Sequence, residues 1–391
     1  MIIGIDKIGF ATSQYVLKLE ALAQARGQKV EKYTSGLMLD ALSITPITED
    51  IVTLASAAAD DILDEQDKAA IDMVIVATES SIDQSKAASI YVHDLLDIQP
   101  FARSIEMKEA CYAATAGLNY AKLHVQQHPD SKVLVIASDI AKYGIASAGE
   151  PTQGAGAIAM LVTANPHLLA FSDDNVAQTR NIMDFWRPNY STTPFVDGIY
   201  STKQYLDSLK TTWAEYQKRY QADLSQFAAF CFHIPYPKLA LKGLKKLMPK
   251  DLDETVKTDL MANFDASIVY SRQVGNIYTG SLYLGLLSLL ENSNSLKVGD
   301  RIGLFSYGSG AVSEIFSLQL VEGYQKRLNK DRLALLARRQ ALTVEEYEAM
   351  FYEEAHLDDD GNADLSSYRT GAFALEAIQN HQRIYVRHDD D

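Results

Sequence analysis

Apolar positions along this chain fall into two alternating patterns. Met73-Val74-Ile75-Val76-Ala77-Thr78, Lys132 to Ala137 and Ile158 to Thr163 are near-continuous apolar runs rich in branched residues. Such runs predict strands buried on both faces. Ile2–Ile5 and Ser104–Met107 predict two more short strands. Between them, Ala113 to Gln126 places small and apolar residues at helical spacing, and Ser13 to Leu22 is read in the same way. Strands alternating with helices predict an α/β architecture.

A second set of elements follows: a strand over Phe227–His233, a helix over Gly280–Leu290 and a strand over Ile302–Ser306. The two sets align by their strand ends. Val74–Ala77 running into Glu79 matches Ala228–Phe232 running into His233. Glu109-Ala110-Cys111 before one helix matches Val274-Gly275-Asn276 before another. We read this as a degenerate internal duplication. Residues 1–165 form the first half, with Glu79 and Cys111; residues 166–391 form the second, with His233 and Asn276. The second half carries an insertion near 170–210, rich in Tyr, Phe, Trp, Pro and Asp, and a charged helical extension after Tyr324. In that extension Thr343-Val344-Glu345-Glu346 has capping-box spacing, and Arg383–Arg387 reads as an edge strand. Open α/β sheets bind ligands at strand ends, so the four polar residues are expected to converge on one site.

Bulk composition narrows the function. The chain has 391 residues, 47% of them hydrophobic, which is enough for a large core. A net charge of −15 argues against nucleic acid and against an anionic membrane surface as partners. The N-terminus has no basic segment leading into a long apolar one, and no run is long enough to span a bilayer. Two cysteines, Cys111 and Cys231, make neither a disulfide framework nor a Cys-x-x-Cys metal pair. A cytoplasmic setting is expected.

The candidate chemistry centres on Cys111, at the start of the helix after Ser104–Met107. A thiol there meets unpaired N–H groups and the positive end of the helix dipole, which favour the thiolate and can hold an oxyanion. A packed, inert cysteine is equally open on these features. Glu79 is either a general acid/base or a helix cap, and Asp83 suits a solvated turn. His233 ends its strand as either a functional or a backbone-bonded imidazole. Cys231, two residues earlier in mid-strand, has no helix dipole and reads as structural. Lys238 and Lys242 stack on one helix face, where they form either a phosphate contact or a solvated surface. His124 and His128 lack the Glu of a zinc-protease helix. Gly308-Ser309-Gly310 fits no phosphate loop and reads as close backbone approach, with a second oxyanion donor. Asp358-Asp359-Asp360-Gly361-Asn362 reads as a solvated turn rather than a calcium loop.

The sequence resembles the hydroxymethylglutaryl-CoA synthase family in its bacterial form. The similarity runs through most of the chain and is carried by Ala77-Thr78-Glu79-Ser80-Ser81-Ile82-Asp83, Lys108-Glu109-Ala110-Cys111-Tyr112 and Met183-Asp184-Phe185-Trp186-Arg187-Pro188. Phe232-His233-Ile234-Pro235-Tyr236, Gly275-Asn276-Ile277-Tyr278 and Phe305 to Gly310 complete it. The resemblance implies a five-layered α-β-α-β-α thiolase-like fold of two similar halves, in a homodimer. It implies condensation of acetyl-CoA with acetoacetyl-CoA in the mevalonate pathway of isoprenoid synthesis, without metal or redox cofactor. Cys111 would carry the acetyl group, Glu79 would act as general acid/base, His233 would orient and polarise the ketone, and Asn276 would bind the thioester. Asp184, Asp139 and Tyr143 match positions that shape the site, and the N–H of Ser309 joins that of Cys111 as oxyanion donor. Ala113-Ala114 departs from a family Gly-Gly pair, and the added methyl groups are expected to narrow the acyl slot. A chain-initiating ketoacyl synthase shares the Cys-His-Asn set but needs no Glu79; an inactive thiolase-fold scaffold needs none of the four residues.

Overall fold

The computed structural model describes residues 1–368 and 371–388. Ten strands form one continuous sheet: β1 (Ile3–Ala11), β2 (Ile71–Ala77), β3 (Arg103–Met107), β4 (Lys132–Ala141), β5 (Gly154–Ala164), β6 (Leu169–Phe171), β7 (Val176–Thr179), β8 (Ala229–Phe232), β9 (Arg301–Gly308) and β10 (Val312–Leu320). Their spatial order is β8-β9-β10-β6-β1-β5-β4-β2-β3, with β7 beside β10. From β1 outward the pairings run antiparallel, antiparallel, parallel through β5, β4 and β2. From β6 outward the same sequence of pairings runs through β10, β9 and β8. The two stretches meet where Gly4 and Ile5 pair with Ala170 and Leu169.

Helices cover both faces. In the first half, α1 (Ile51–Asp60) and α2 (Ala88–Leu95) lie outside and α3 (Ala113–Gln127) inside. In the second, α4 (Gly198–Tyr220) and α5 (Pro237–Leu247) lie outside, α6 (Glu254–Ser267) follows α5, and α7 (Ser281–Asn292) joins α3 in the centre. Period-two alternation builds this layering. Met73, Ile75 and Ala77 of β2 face the central helices, while Val74 and Val76 face α1 and α2. Likewise Ala229 and Cys231 of β8 point to the centre and Phe230 and Phe232 to the outer helices. A strand covered on both faces has no polar position to spare, hence the continuous runs. The result is the five-layered α-β-α-β-α arrangement.

Three stretches differ from their expected form. Ser13–Leu22 is not one helix: Tyr15–Lys18 is a strand between Ala41–Ile44 and Gln340–Ala341, and helix begins only at Leu19. Pairing with distant strands overrides the local helical spacing. The segment near 170–210 holds regular structure. β6 and β7 belong to the main sheet, Phe185–Trp186 pairs with Phe195–Val196 as a hairpin, and α4 starts at Gly198. After Tyr324 the chain is helical only in part. It forms the helices Arg332–Ala337 and α8 (Val344–Tyr352), then a three-stranded sheet ending in Gln382–Arg387. That sheet is held because Phe373 packs with α1, and Arg383 and Tyr385 both bond Asp50. Thr343 caps α8 through the expected box with Glu346, and Asp358 accepts from backbone within its own turn. Among the described residues no helix is long and apolar enough to cross a membrane.

Gly275 illustrates how tightly the halves fit. Its φ is +87°, and a Cβ there would sit 1.8 Å from the carbonyl oxygen of Gln153 in the first half. Gly275→Ala is therefore expected to cost about 3 kcal/mol or more of stability. Gly27→Ala, at φ +60° in open space, is expected to cost only about 1 kcal/mol. Urea midpoints at unchanged slope measure both, and equal shifts for the two would contradict the packing described.

Candidate active site

Cys111 lies on the turn between β3 and α3, two residues before the helix proper. The turn is sharp because Ala110 takes a left-handed φ of 42°. Gly308, at the end of β9, presses on it from the other half: a Cβ there would lie 2.6 Å from the carbonyl oxygen of Glu109 and from Cβ of Tyr112. Absence of a side chain at 308 brings the Ser309 backbone beside the Cys111 loop.

Glu79 stands two residues beyond β2, and no helix starts there for it to cap. Its Oε1 accepts the Cys111 thiol at 2.9 Å. Asp139 on β4 holds the loop. One of its oxygens accepts the Thr78 hydroxyl, the Glu79 N–H and the Ser80 hydroxyl, while the other accepts the N–H and hydroxyl of Thr279, across the boundary between halves. Arg187, from the start of the loop between the hairpin strands, donates to the carbonyl of Glu79. Asp83 bonds Ser85 and Lys86 in its own exposed turn.

His233 follows β8 directly. Its N–H donates to Phe305 and its carbonyl accepts the Tyr205 hydroxyl from α4, so the backbone is fixed while the buried ring Nδ1 has no partner. Asn276 is oriented by its carboxamide: Oδ1 accepts from the N–H of Tyr278 and the Ser281 hydroxyl, and Nδ2 donates to Tyr143 Oη at 3.0 Å. A cavity of about 440 Å³ is lined by Cys111 and Tyr143 from the first half and by His233, Asn276, Tyr278 and Ser309 from the second. Glu79 sits behind the sulfur, in contact with it. Among the described residues no group of three or more His, Cys, Asp or Glu is placed to hold a metal.

Several candidates act at one remove or stand apart. Asp184 is buried and does not line the cavity; it accepts the Tyr307 hydroxyl and the Gly310 N–H, and so holds the turn carrying Ser309. Lys238 and Lys242 lie on α5 outside the lining, although Leu239 between them belongs to it. Ala113 and Ala114 are fully buried in the central layer, so their methyl groups fill core and not the acyl slot. Cys231 is sealed in the same core. His124 bonds Asp72 and its ring lies tilted against that of His128. The cavity's aromatic wall of Phe185, Tyr205 and Tyr307 was not singled out from the sequence. Phe185 and Tyr307 stand inside the quoted motifs, and the density of Tyr and Phe between 185 and 205 was the local signal for Tyr205.

The electrostatics differ from those of a helix-tip thiolate. Burial, then the Glu79 carboxylate, pushes the Cys111 thiol well above its ordinary value, so the helix dipole does not prevail. Burial and the charge of Asp139 raise Glu79 to about 8. Burial alone lowers His233 to about 3 and keeps it a neutral imidazole at physiological pH. The thiol therefore keeps its proton at neutral pH, and it faces a carboxyl group of nearly neutral pKa.

Comparison with known proteins agrees with this geometry. Residues 2–167 match the model for the hydroxymethylglutaryl-coenzyme A synthase N-terminal region, and residues 175–266 and 256–388 match the one for its C-terminal region. Hydroxymethylglutaryl-CoA synthase of Enterococcus faecalis is 53% identical over 388 residues, covering 98% of this chain and 100% of that one. A crystal structure of HMG-CoA synthase complexed with CoA superposes with a TM-score of 0.98 at 64% identity, over 99% of this chain and 100% of the other. MvaS in complex with 3-hydroxy-3-methylglutaryl coenzyme A superposes at 0.86 with 33% identity, over 99% of both chains.

The thiol's position carries a direct expectation. Because the Glu79 charge opposes the thiolate, Glu79→Gln lowers the pH at which thiolate absorbance appears, with Cys111→Ser as the blank. A titration that stays in place or moves upward would contradict the assigned contact.

Proposed function

This chain belongs to the hydroxymethylglutaryl-CoA synthase family and condenses acetyl-CoA with acetoacetyl-CoA to hydroxymethylglutaryl-CoA, and from that premise we propose which residue performs each step. The contact between Cys111 and Glu79 inside a cavity built from both halves carries the proposal. The Cys111 sulfur attacks the acetyl-CoA carbonyl as its proton passes to Glu79. The N–H groups of Cys111 and Ser309 receive the oxyanion, and on collapse the coenzyme A sulfur departs with the proton held by Glu79, leaving acetyl-Cys111 and an ionised carboxylate. A thioester on sulfur keeps the methyl protons acidic.

Glu79, once ionised, removes a methyl proton, and the resulting carbanion forms the new bond to the ketone carbon of acetoacetyl-CoA. The same carboxyl group returns its proton to the alkoxide. His233, neutral at working pH, serves as a hydrogen-bond partner that orients and polarises the ketone rather than as a proton source. Asn276 Nδ2 and Tyr143 Oη, already paired, bind the thioester end. Water then hydrolyses the bond to Cys111 and frees the product. Asp139 positions Glu79, and Asp184 positions Ser309. Lys238 and Lys242 flank the cavity through Leu239 and are assigned to the phosphates of the coenzyme. A homodimer in the cytoplasm completes the reading. It is supported by β3, paired on one side only, and by two free cysteines.

Intact-mass analysis after incubation with acetyl-CoA tests the roles. The wild type gains one acetyl increment and Cys111→Ser gains none. Glu79→Ala still gains it, more slowly, but loses condensation by roughly 10³-fold. An acetylated protein that condenses malonyl groups, or an increment surviving in Cys111→Ser, would overturn the assignment. The pH profile gives a second test. Since Glu79 must be ionised to accept a proton, kcat/KM is expected to rise through pH 7 and 8, with its midpoint at about 8, and to level off above that. A profile that falls across that range would contradict the role.

A further inference from the structure

We propose that Gln153 and Tyr347 are positioning residues for Tyr143, and that α8 holds the substrate-binding wall of the cavity through them. The inference rests on the functional reading above and extends it to a segment far from the reacting sulfur. Residues 142–153 leave β4 and return to β5 as a loop that supplies Tyr143, Ala148, Gly149 and Thr152 to the cavity. Little regular structure holds this loop. Gly144 and Ala146 take left-handed φ values of 110° and 56°, and Gly149 lies so close over the Tyr143 ring that a Cβ would fall 2.8 Å from Cγ.

What fixes Tyr143 instead is a chain of buried polar groups. Gln153 Oε1 accepts the N–H of Tyr143 at 2.8 Å and that of Gly144 at 3.2 Å. The same carboxamide donates Nε2 to Tyr347 Oη at 2.8 Å. Tyr347, fully buried on α8, donates its hydroxyl to Glu150 Oε1 at 3.3 Å. Arg26 closes the chain: it grips both oxygens of Glu150 at 2.8 and 3.0 Å and reaches Glu348 on α8 at 2.6 Å. With its oxygen on the loop, the Gln153 carboxamide accepts two backbone N–H groups and donates to Tyr347, so both of its ends are engaged. A buried network of this kind has one low-energy arrangement, because any rotation leaves a donor unpaired.

The far end of the chain is functional. Tyr143 Oη receives Asn276 Nδ2, and its ring packs edge-on against Phe185 and Tyr278. Asn276 also donates its N–H to the carbonyl of Thr152, next to Gln153. Releasing Gln153 therefore loosens the groups that meet the second substrate, while Cys111, Glu79 and the Ser309 turn are held by Asp139 and Asp184 through separate bonds.

Tyr347→Phe, Gln153→Leu, Gln153→Glu and the Tyr347→Phe/Gln153→Leu double variant test this in the full-length enzyme. Each is scored for acetyl-Cys111 formation by intact mass, for kcat and KM toward acetoacetyl-CoA, and for thermal midpoint. Tyr347→Phe and Gln153→Leu are expected to raise the KM for acetoacetyl-CoA about tenfold while the acetylation rate changes less than about twofold. Gln153→Glu, which still accepts both loop N–H groups, is expected to recover part of that loss. The double variant should be no worse than the poorer single one, because the two residues act in series. Acetylation and condensation falling in proportion, no change in either, or multiplying effects would each overturn the proposal. Failure of the wild type to condense would instead remove the functional reading itself.

Discussion

A single buried carboxylate holds the site in register. Asp139 accepts bonds from Thr78, Glu79 and Ser80 at the end of one strand and from Thr279 at the start of the helix that mirrors α3 in the second half. Neither loop has a regular ladder to fix it, so the placement of Glu79 relative to Asn276 depends on these bonds. Leaving such donors unpaired in the interior would cost several kcal/mol in all. Burial raises the pKa of Asp139 in spite of those donors, and its charge in turn helps to raise Glu79. One group thus fixes the position of its neighbour and adds to the effect of burial on its acidity.

That coupling explains why the site is built from groups held away from their ordinary protonation states. A carboxyl group with an ordinary pKa is too weak a base to take a proton from a thioester methyl group. Lifted to about 8, it is matched to proton transfer near neutrality. The imidazole, pushed the opposite way to about 3, cannot compete for that proton. Desolvation is the dominant cause in both cases, and it follows from a cavity enclosed by two halves whose strands end at the same place.

Much of this was legible from the chain alone, for physical reasons. Glu79, Cys111, His233 and Asn276 stand at strand ends and helix starts, which marked them as candidates, while a capping or packing role stayed equally open for the first three until tertiary contact placed them around one cavity. The matching order of strand pairings from β1 and from β6 is the structural counterpart of the aligned motifs. The strand at Tyr15–Lys18 was not legible, because its partners lie about twenty-five and more than three hundred residues away. In the charged C-terminal region only the last strand was expected, although its hairpin partner Phe373–Gln379 ends just two residues before it. The direction of the Cys111 shift was missed because helix-tip position is a local feature, whereas burial and the Glu79 charge come from tertiary contact. Lys238 and Lys242 share a helix face as expected, yet that face lies beside the cavity rather than within it. The roles of Gln153 and Tyr347 leave no mark in sequence, since the bond between them spans 194 positions.

The most direct test of the account is a crystal structure of the acetylated enzyme. The acetyl group should sit on Cys111 Sγ inside the cavity, its oxygen about 3 Å from the N–H groups of both Cys111 and Ser309 and its methyl group facing the Glu79 carboxyl. An acetyl oxygen turned away from those two donors, or a Glu79 carboxyl withdrawn beyond reach of the methyl group, would contradict it.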